Sequence, residues 1–97
     1  MALFVVTCWD KPGALDQRLA HRPDHVAYLK SQTAAQILVA GPQLDGEGEM
    51  CGSLFVIEAE GQAGAEAFSA GDPFNQRGVF GRIEIRGFTA TMGAWVP

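Results

Sequence analysis

ILVAGPQLDGEGEMCGSLFVIEAE, residues 37–60, decides the fold. SLFVIEAE, residues 53–60, is the clearest strand in the chain, an apolar and β-branched run that Gly61 breaks. ILVAGP, residues 37–42, is a second such run, closed by Gly41-Pro42, and LDGEGEMCG between them is a glycine-rich, acidic loop. Two strands therefore follow one another with no helix between them.

Working outward on the N-terminal side, Pro23 suits the first position of a helix, where its missing N–H costs nothing. A helix from about 23 to 35 follows, with Val26, Leu29 and Thr33 spaced to face a core. ALDQRLA, residues 14–20, is a separate short helical stretch. ALFVVTCW, residues 2–9, reads as a strand ended by the turn Asp10-Lys11-Pro12-Gly13. On the C-terminal side, QAGAEAFSA (62–70) makes a second helix ending at Gly71, and GDPFNQRG is turn material. VFGRIEIRGF (79–88) is a fourth strand, and TATMGAWVP (89–97) is an apolar tail. No repeat or linker divides residues 1–97, so one domain is expected.

The order β-α-β-β-α-β closes most simply as an α+β ferredoxin-like sandwich, with an antiparallel sheet in the order 4-1-3-2 and helices on one face. Strand one is apolar on both parities: Phe4, Val6 and Cys8 on one, Leu3, Val5 and Trp9 on the other. Strand three repeats this with Phe55 and Ile57 against Leu54 and Val56. A bare apolar sheet face is a binding surface, and a homodimer with its sheets packed face to face is expected.

Composition narrows the function. A formal charge of −4 with singly scattered Lys and Arg argues against a nucleic-acid surface. The N-terminus has no basic segment of a signal peptide and no stretch approaches a membrane span, so a cytoplasmic protein without membrane contact is expected. No flavin, nicotinamide or metal motif occurs, and no cofactor is expected. Cys8 and Cys51, brought near each other by the topology, are two buried thiols or, alternatively, a redox pair.

The same topology gathers Trp9, Arg22, His25, Pro42 and Asp72 at one end of the sheet from five distant segments. His21 and His25 are four apart, a spacing that aligns two metal ligands only if the residues between are helical. Pro23 disfavours helical geometry at Arg22, which places His21 outside the helix and weakens the metal reading. His25, at the first turn of a helix, is a general acid or base in neutral form or a satisfied structural histidine. Asp72 is its orienting partner or simply the Asp-Pro turn ending a helix.

Arg22-Pro23-x-His25, Ala40-Gly41-Pro42 and Asp72-Pro73-Phe74, in this order and at these spacings, resemble the YciI-like family over nearly the whole chain. The resemblance implies a dimeric α/β-barrel of ferredoxin-like subunits with a site centred on His25 and Asp72. His21 has no counterpart in its motif. Similar proteins include a dehydrochlorinase of a chlorinated hydroxyhydroquinone, and muconolactone isomerase-like proteins share the broader fold. The loop 45–52 lies where the family varies in length.

The resulting expectation is a cofactor-independent lyase or isomerase acting on a small cyclic phenolic or carbonyl substrate. His25 would move a proton and Asp72 would orient it. Arg22 would bind an anionic oxygen or form a surface salt bridge with Asp16 or Asp24, Pro42 would border the cleft, and Trp9 and Phe74 would wall it or pack in the core. A non-catalytic small-ligand-binding dimer using the same cleft is the alternative.

Overall fold

The structure is a computed structural model that describes residues 1–96; the last residue of the predicted tail, Pro97, lies outside the described residues. β1 (Ala2–Asp10), α1 (Leu15–Ser31), β2 (Ala35–Leu44), β3 (Met50–Ala59), α2 (Gly61–Gly71), α3 (Pro73–Gln76) and β4 (Phe80–Phe88) follow in order. The sheet order β2-β3-β1-β4 is the expected 4-1-3-2 read from the other edge, and every neighbouring pair is antiparallel. This is the ferredoxin-like α+β sandwich.

Parity sets the two faces of the sheet. Phe4, Val6 and Cys8 on β1 and Phe55, Ile57 and Ala59 on β3 point to the helices and form the core with Phe68, Phe74, Val79 and Phe80. Phe68 and Phe74 close the helical side, each meeting a sheet phenylalanine edge to face (Phe55 at 5.3 Å and Phe80 at 5.7 Å between centroids). The opposite parity, Leu3, Val5, Thr7 and Trp9, faces away from the helices.

The expected helix boundaries are wrong at both ends, and Thr33, expected on the core face of the helix, lies exposed beyond its end at Ser31. α1 begins at Leu15 and runs unbroken to Ser31, with Pro23 inside it. The two predicted helical pieces are therefore one helix, and His21 is not outside it. A mid-helix proline costs about 3 kcal/mol through its lost hydrogen bond and ring clash. Here both halves of α1 are tied down by side chains: Arg18 before the proline bonds Asp10 and Ser53, and His25 after it bonds Asp72. Those anchors outweigh the local preference to start at Pro23.

The hairpin between β2 and β3 is also tighter than the expected 45–52 loop, because Met50, Cys51 and Gly52 already belong to β3. Asp45 Oδ1 accepts the N–H groups of Glu47 and Glu49, and Gly48 supplies the positive φ of the turn. Gly52 meets a different demand, since a Cβ there would stand 2.2 Å from the carbonyl oxygen of Cys8 on the neighbouring strand. A register shift between Ile37 and Val39 inserts one extra residue into β2. Beyond this bulge, Ala40 pairs with Phe55 and Pro42 with Ser53, which turns both toward the helical side.

Candidate active site

α1 supplies the site through a stripe at helical spacing, Arg18, Arg22, His25 and Leu29, all lining a cavity of about 180 Å³. Ala40, Gly41 and Pro42 border it from β2, and Met50, Ser53 and Phe55 from β3. Phe74 completes the lining from α3.

The Asp72-Pro73-Phe74 segment does more than turn the chain. Asp72 caps α3, accepting the Phe74 N–H at 2.9 Å, while Pro73 occupies the first turn, where no N–H is needed. The same oxygen, Oδ1, accepts a hydrogen bond from His25 Nδ1 at 2.8 Å. Phe74 then lies parallel to the His25 ring at 3.9 Å between centroids. One tripeptide thus fixes the imidazole in its plane and along its edge.

Because a carboxylate only accepts, this contact assigns a proton to Nδ1, and in the neutral ring Nε2 then carries the lone pair. No described group bonds Nε2, and among the described residues no side-chain nitrogen or oxygen is both sealed from solvent and unpartnered. Nε2 therefore keeps an opening, and His25 lines the cavity. Asp72 is almost completely buried, and its charge reaches beyond His25. Burial pushes the Cys8 thiol up to about 12, with the Asp72 carboxylate adding to the rise. Cys8 is thus a protonated, buried thiol; both cysteines are free, and Cys51, expected to be buried as well, is only half-buried. Tyr28, which donates to the Phe68 carbonyl, is raised in the same two ways.

Several expectations need correction. His25 sits in the middle of α1, so the dipole of a helix start has no bearing on its protonation. His21 is in the same helix, yet its Nδ1 accepts a bond from exposed Arg77, which also holds Asp24. Among the described residues no group of three or more His, Cys, Asp and Glu side chains is placed to hold a metal. Trp9 does not line the cavity: it lies on the other face of the sheet, under the Arg82 guanidinium at 4.5 Å. Asp24, one candidate partner for Arg22, is taken by Arg77, and Arg22 stands exposed at the cavity.

Sequence reasoning missed Arg18. It is 3% exposed, grips Asp10 through Nε at 2.7 Å and Nη2 at 3.0 Å, and donates from Nη2 to Ser53 Oγ at 2.8 Å. Its guanidinium also lies 4.6 Å from the centre of the Phe74 ring. The signal was the spacing of Arg18, Arg22 and His25, which the supposed break at Pro23 concealed.

A model of the YCII-related domain matches residues 2–89. The chain belongs to the YCII-related domain family. Protein YciI of Escherichia coli O6:H1 is 31% identical over 93 residues, covering 89% of this chain and 95% of that protein. Among solved structures, 5-chloro-2-hydroxyhydroquinone dehydrochlorinase from Burkholderia phenoliruptrix, in complex with 2,5-dihydroxybenzoquinone, is similar with a TM-score of 0.83 and 31% identity. That match covers 92% of this chain and 95% of the dehydrochlorinase. An uncharacterized NIPSNAP domain protein from Burkholderia xenovorans, 16% identical with a TM-score of 0.53 and covering 100% and 99% of the two chains, shares the fold alone. Of the residues in the three short motifs noted in the sequence, Arg22, His25, Pro42 and Phe74 line this cavity, and Asp72 stands behind His25.

Proposed function

We propose that this chain is a cofactor-independent lyase or isomerase that moves a proton on a small cyclic phenolic or carbonyl substrate. The observation that carries this is the buried 2.8 Å contact between His25 Nδ1 and Asp72 beside a cavity large enough for one ring. An apolar cavity of about 150 Å³ holds benzene, so about 180 Å³ suits a substituted six-membered ring. The dehydrochlorinase relative, solved with a dihydroxybenzoquinone, supports the same substrate class.

His25 Nε2 takes a proton from the substrate, and Asp72 stabilises the imidazolium that results. The electron pair left behind either waits as an enolate for reprotonation elsewhere, an isomerisation, or expels a leaving group with its pair, an elimination. Arg22 draws an anionic oxygen to the mouth, while Pro42 and Phe74 hold the ring. Positioned proton transfer of this kind contributes about 10²–10⁴-fold in rate. His25→Ala should therefore lose turnover of chlorinated hydroxyhydroquinones by that factor, and Asp72→Asn should lose a smaller part. Full activity in both variants defeats the reading. Unchanged binding of dihydroxybenzoquinone without turnover in the wild type selects the non-catalytic binding module instead.

The working unit we infer is a homodimer joined through the open sheet face. Leu38, Val39, Leu54, Phe88, Met92 and Trp95 are all exposed there or beside it, and a groove of about 630 Å³ runs between the sheet and residues 90–96. Such a continuous apolar surface is uncommon on a monomer. Light scattering at micromolar concentration should give twice the chain mass; a monomer rules the dimer out.

A further inference from the structure

We propose that Arg18 binds the substrate oxygen on which negative charge develops when His25 removes the proton. This rests on the reading of the cavity as a small-ligand site and assigns the residue that stabilises the charge there.

Of the three guanidinium nitrogens of Arg18, two are committed: Nε to Asp10, and Nη2 to Asp10 and Ser53. Nη1 has no hydrogen-bond partner among the described residues, and it is not sealed from solvent, because no described side-chain nitrogen or oxygen is both sealed and unpartnered. The rest of the side chain is buried, and Arg18 lines the cavity. A buried, anchored side chain that lines the cavity therefore keeps one unpaired N–H donor in reach of solvent.

A purely structural role explains this arrangement poorly. A buried ion pair rarely stabilises a fold more than apolar side chains of the same volume would, because both charges are taken out of water. What the pair does achieve here is alignment. Asp10 at the end of β1 and Ser53 on β3 fix the guanidinium fork, and Phe74 carries Arg18 against its ring just as it carries His25. Donor and base are thereby referenced to one aromatic ring. Arg18 and His25 also lie seven residues apart on one helix, two turns along the same face.

The chemistry requires such a donor. When Nε2 takes a proton from carbon next to a carbonyl, the C–H bond breaks and an N–H bond forms. The electron pair moves onto the carbonyl oxygen, which becomes an enolate. A donor already in place lowers the cost of that charge without reorganisation. Asp10 neutralises much of the Arg18 charge, so Arg18 acts as an oriented donor, whereas exposed Arg22 supplies the long-range attraction. The two arginines divide the work.

The test uses 4-nitrophenol, a single ring whose ionisation near neutrality is visible by absorbance, and 2,5-dihydroxybenzoquinone. With the wild-type protein, either ligand should shift the Arg18 side-chain ¹⁵N–¹H resonances and the His25 imidazole resonances with one affinity. Bound nitrophenol should be driven toward phenolate. Arg18→Lys keeps a charge but loses the fork, and should weaken this phenolate preference about tenfold or more. Arg22→Ala should instead weaken binding of the anion in a way that added salt abolishes. If His25 resonances shift while those of Arg18 stay fixed and Arg18→Lys binds phenolate as before, the role of Arg18 is overturned and the ligand site stands. If neither ligand perturbs His25 or Arg18, the ligand site fails and the role of Arg18 fails with it. The wild-type resonances decide the matter even if Arg18→Lys does not fold.

Discussion

The two faces of one four-stranded sheet use the same alternating strands to opposite ends. Toward the helices, Cys8, Ser53 and Phe55 sit beneath buried polar side chains, Arg18, His25 and Asp72, that are all partnered. Away from them, Leu54, Val39 and Phe88 lie open, and Trp95 is 86% exposed. Apolar sheet surface alone therefore marks nothing in this protein. The chemistry we propose lies where burial forces charged groups to hold each other, and association is expected where apolar surface is left uncovered.

The contrast breaks most severely at Asp10. Asp10→Ala leaves Arg18 charged, buried and without its carboxylate, and should cost about 3–5 kcal/mol in urea unfolding. A loss under about 1 kcal/mol, the range of a surface pair, would mean that the pair is not buried in solution. Pro23 offers a smaller effect of opposite sign. If α1 is continuous, Pro23→Ala restores a helical hydrogen bond and should stabilise the protein by about 1–2 kcal/mol. A neutral result would restore the two-piece helix.

That proline also shows where the sequence was legible. Strand order and the meeting of His25 with Asp72 followed from alternation and topology, which are local or nearly so, whereas the helices did not: two expected pieces are one α1, and the expected turn at Pro73 is the short α3. The continuity of α1 depends on Asp10, Ser53 and Asp72, which lie far from Pro23 in the chain and hold the helix on both sides of it. No local signal reports such anchors. Once the helix was divided, Arg18 fell outside the stripe that contains Arg22 and His25. Trp9 is a different case, because its parity already grouped it with Leu3 and Val5, opposite the core residues Phe4 and Val6. The bulge at Leu38, which turns Pro42 to the cavity, has no glycine to announce it.

Smaller still is the effect at Cys8. Its thiol is raised from 9.0 to about 12 in the folded chain, so the unfolded chain loses that proton first as pH rises. The stabilisation is complete below about pH 9 and disappears as pH climbs toward 12, with Tyr28, also raised, adding to the fall. Cys8→Ala should flatten the pH 9–12 part of the stability curve, and iodoacetamide at pH 8 should label Cys51 well before Cys8. The least change in intrinsic stability is expected on the open face. Trp95→Ser should alter the unfolding midpoint by under about 0.5 kcal/mol at high dilution while removing its dependence on protein concentration. A large loss at every concentration would make Trp95 a core residue of the single chain.

The central claim is that His25 presents a bare, basic Nε2 because Asp72 holds the proton on Nδ1. Long-range ¹H–¹⁵N correlation of the imidazole at a pH where it is neutral tests this directly. The account predicts a protonated Nδ1 and an unprotonated Nε2 for His25, and a mixture of both tautomers in Asp72→Ala. A His25 protonated at Nε2 in the wild-type protein would contradict it.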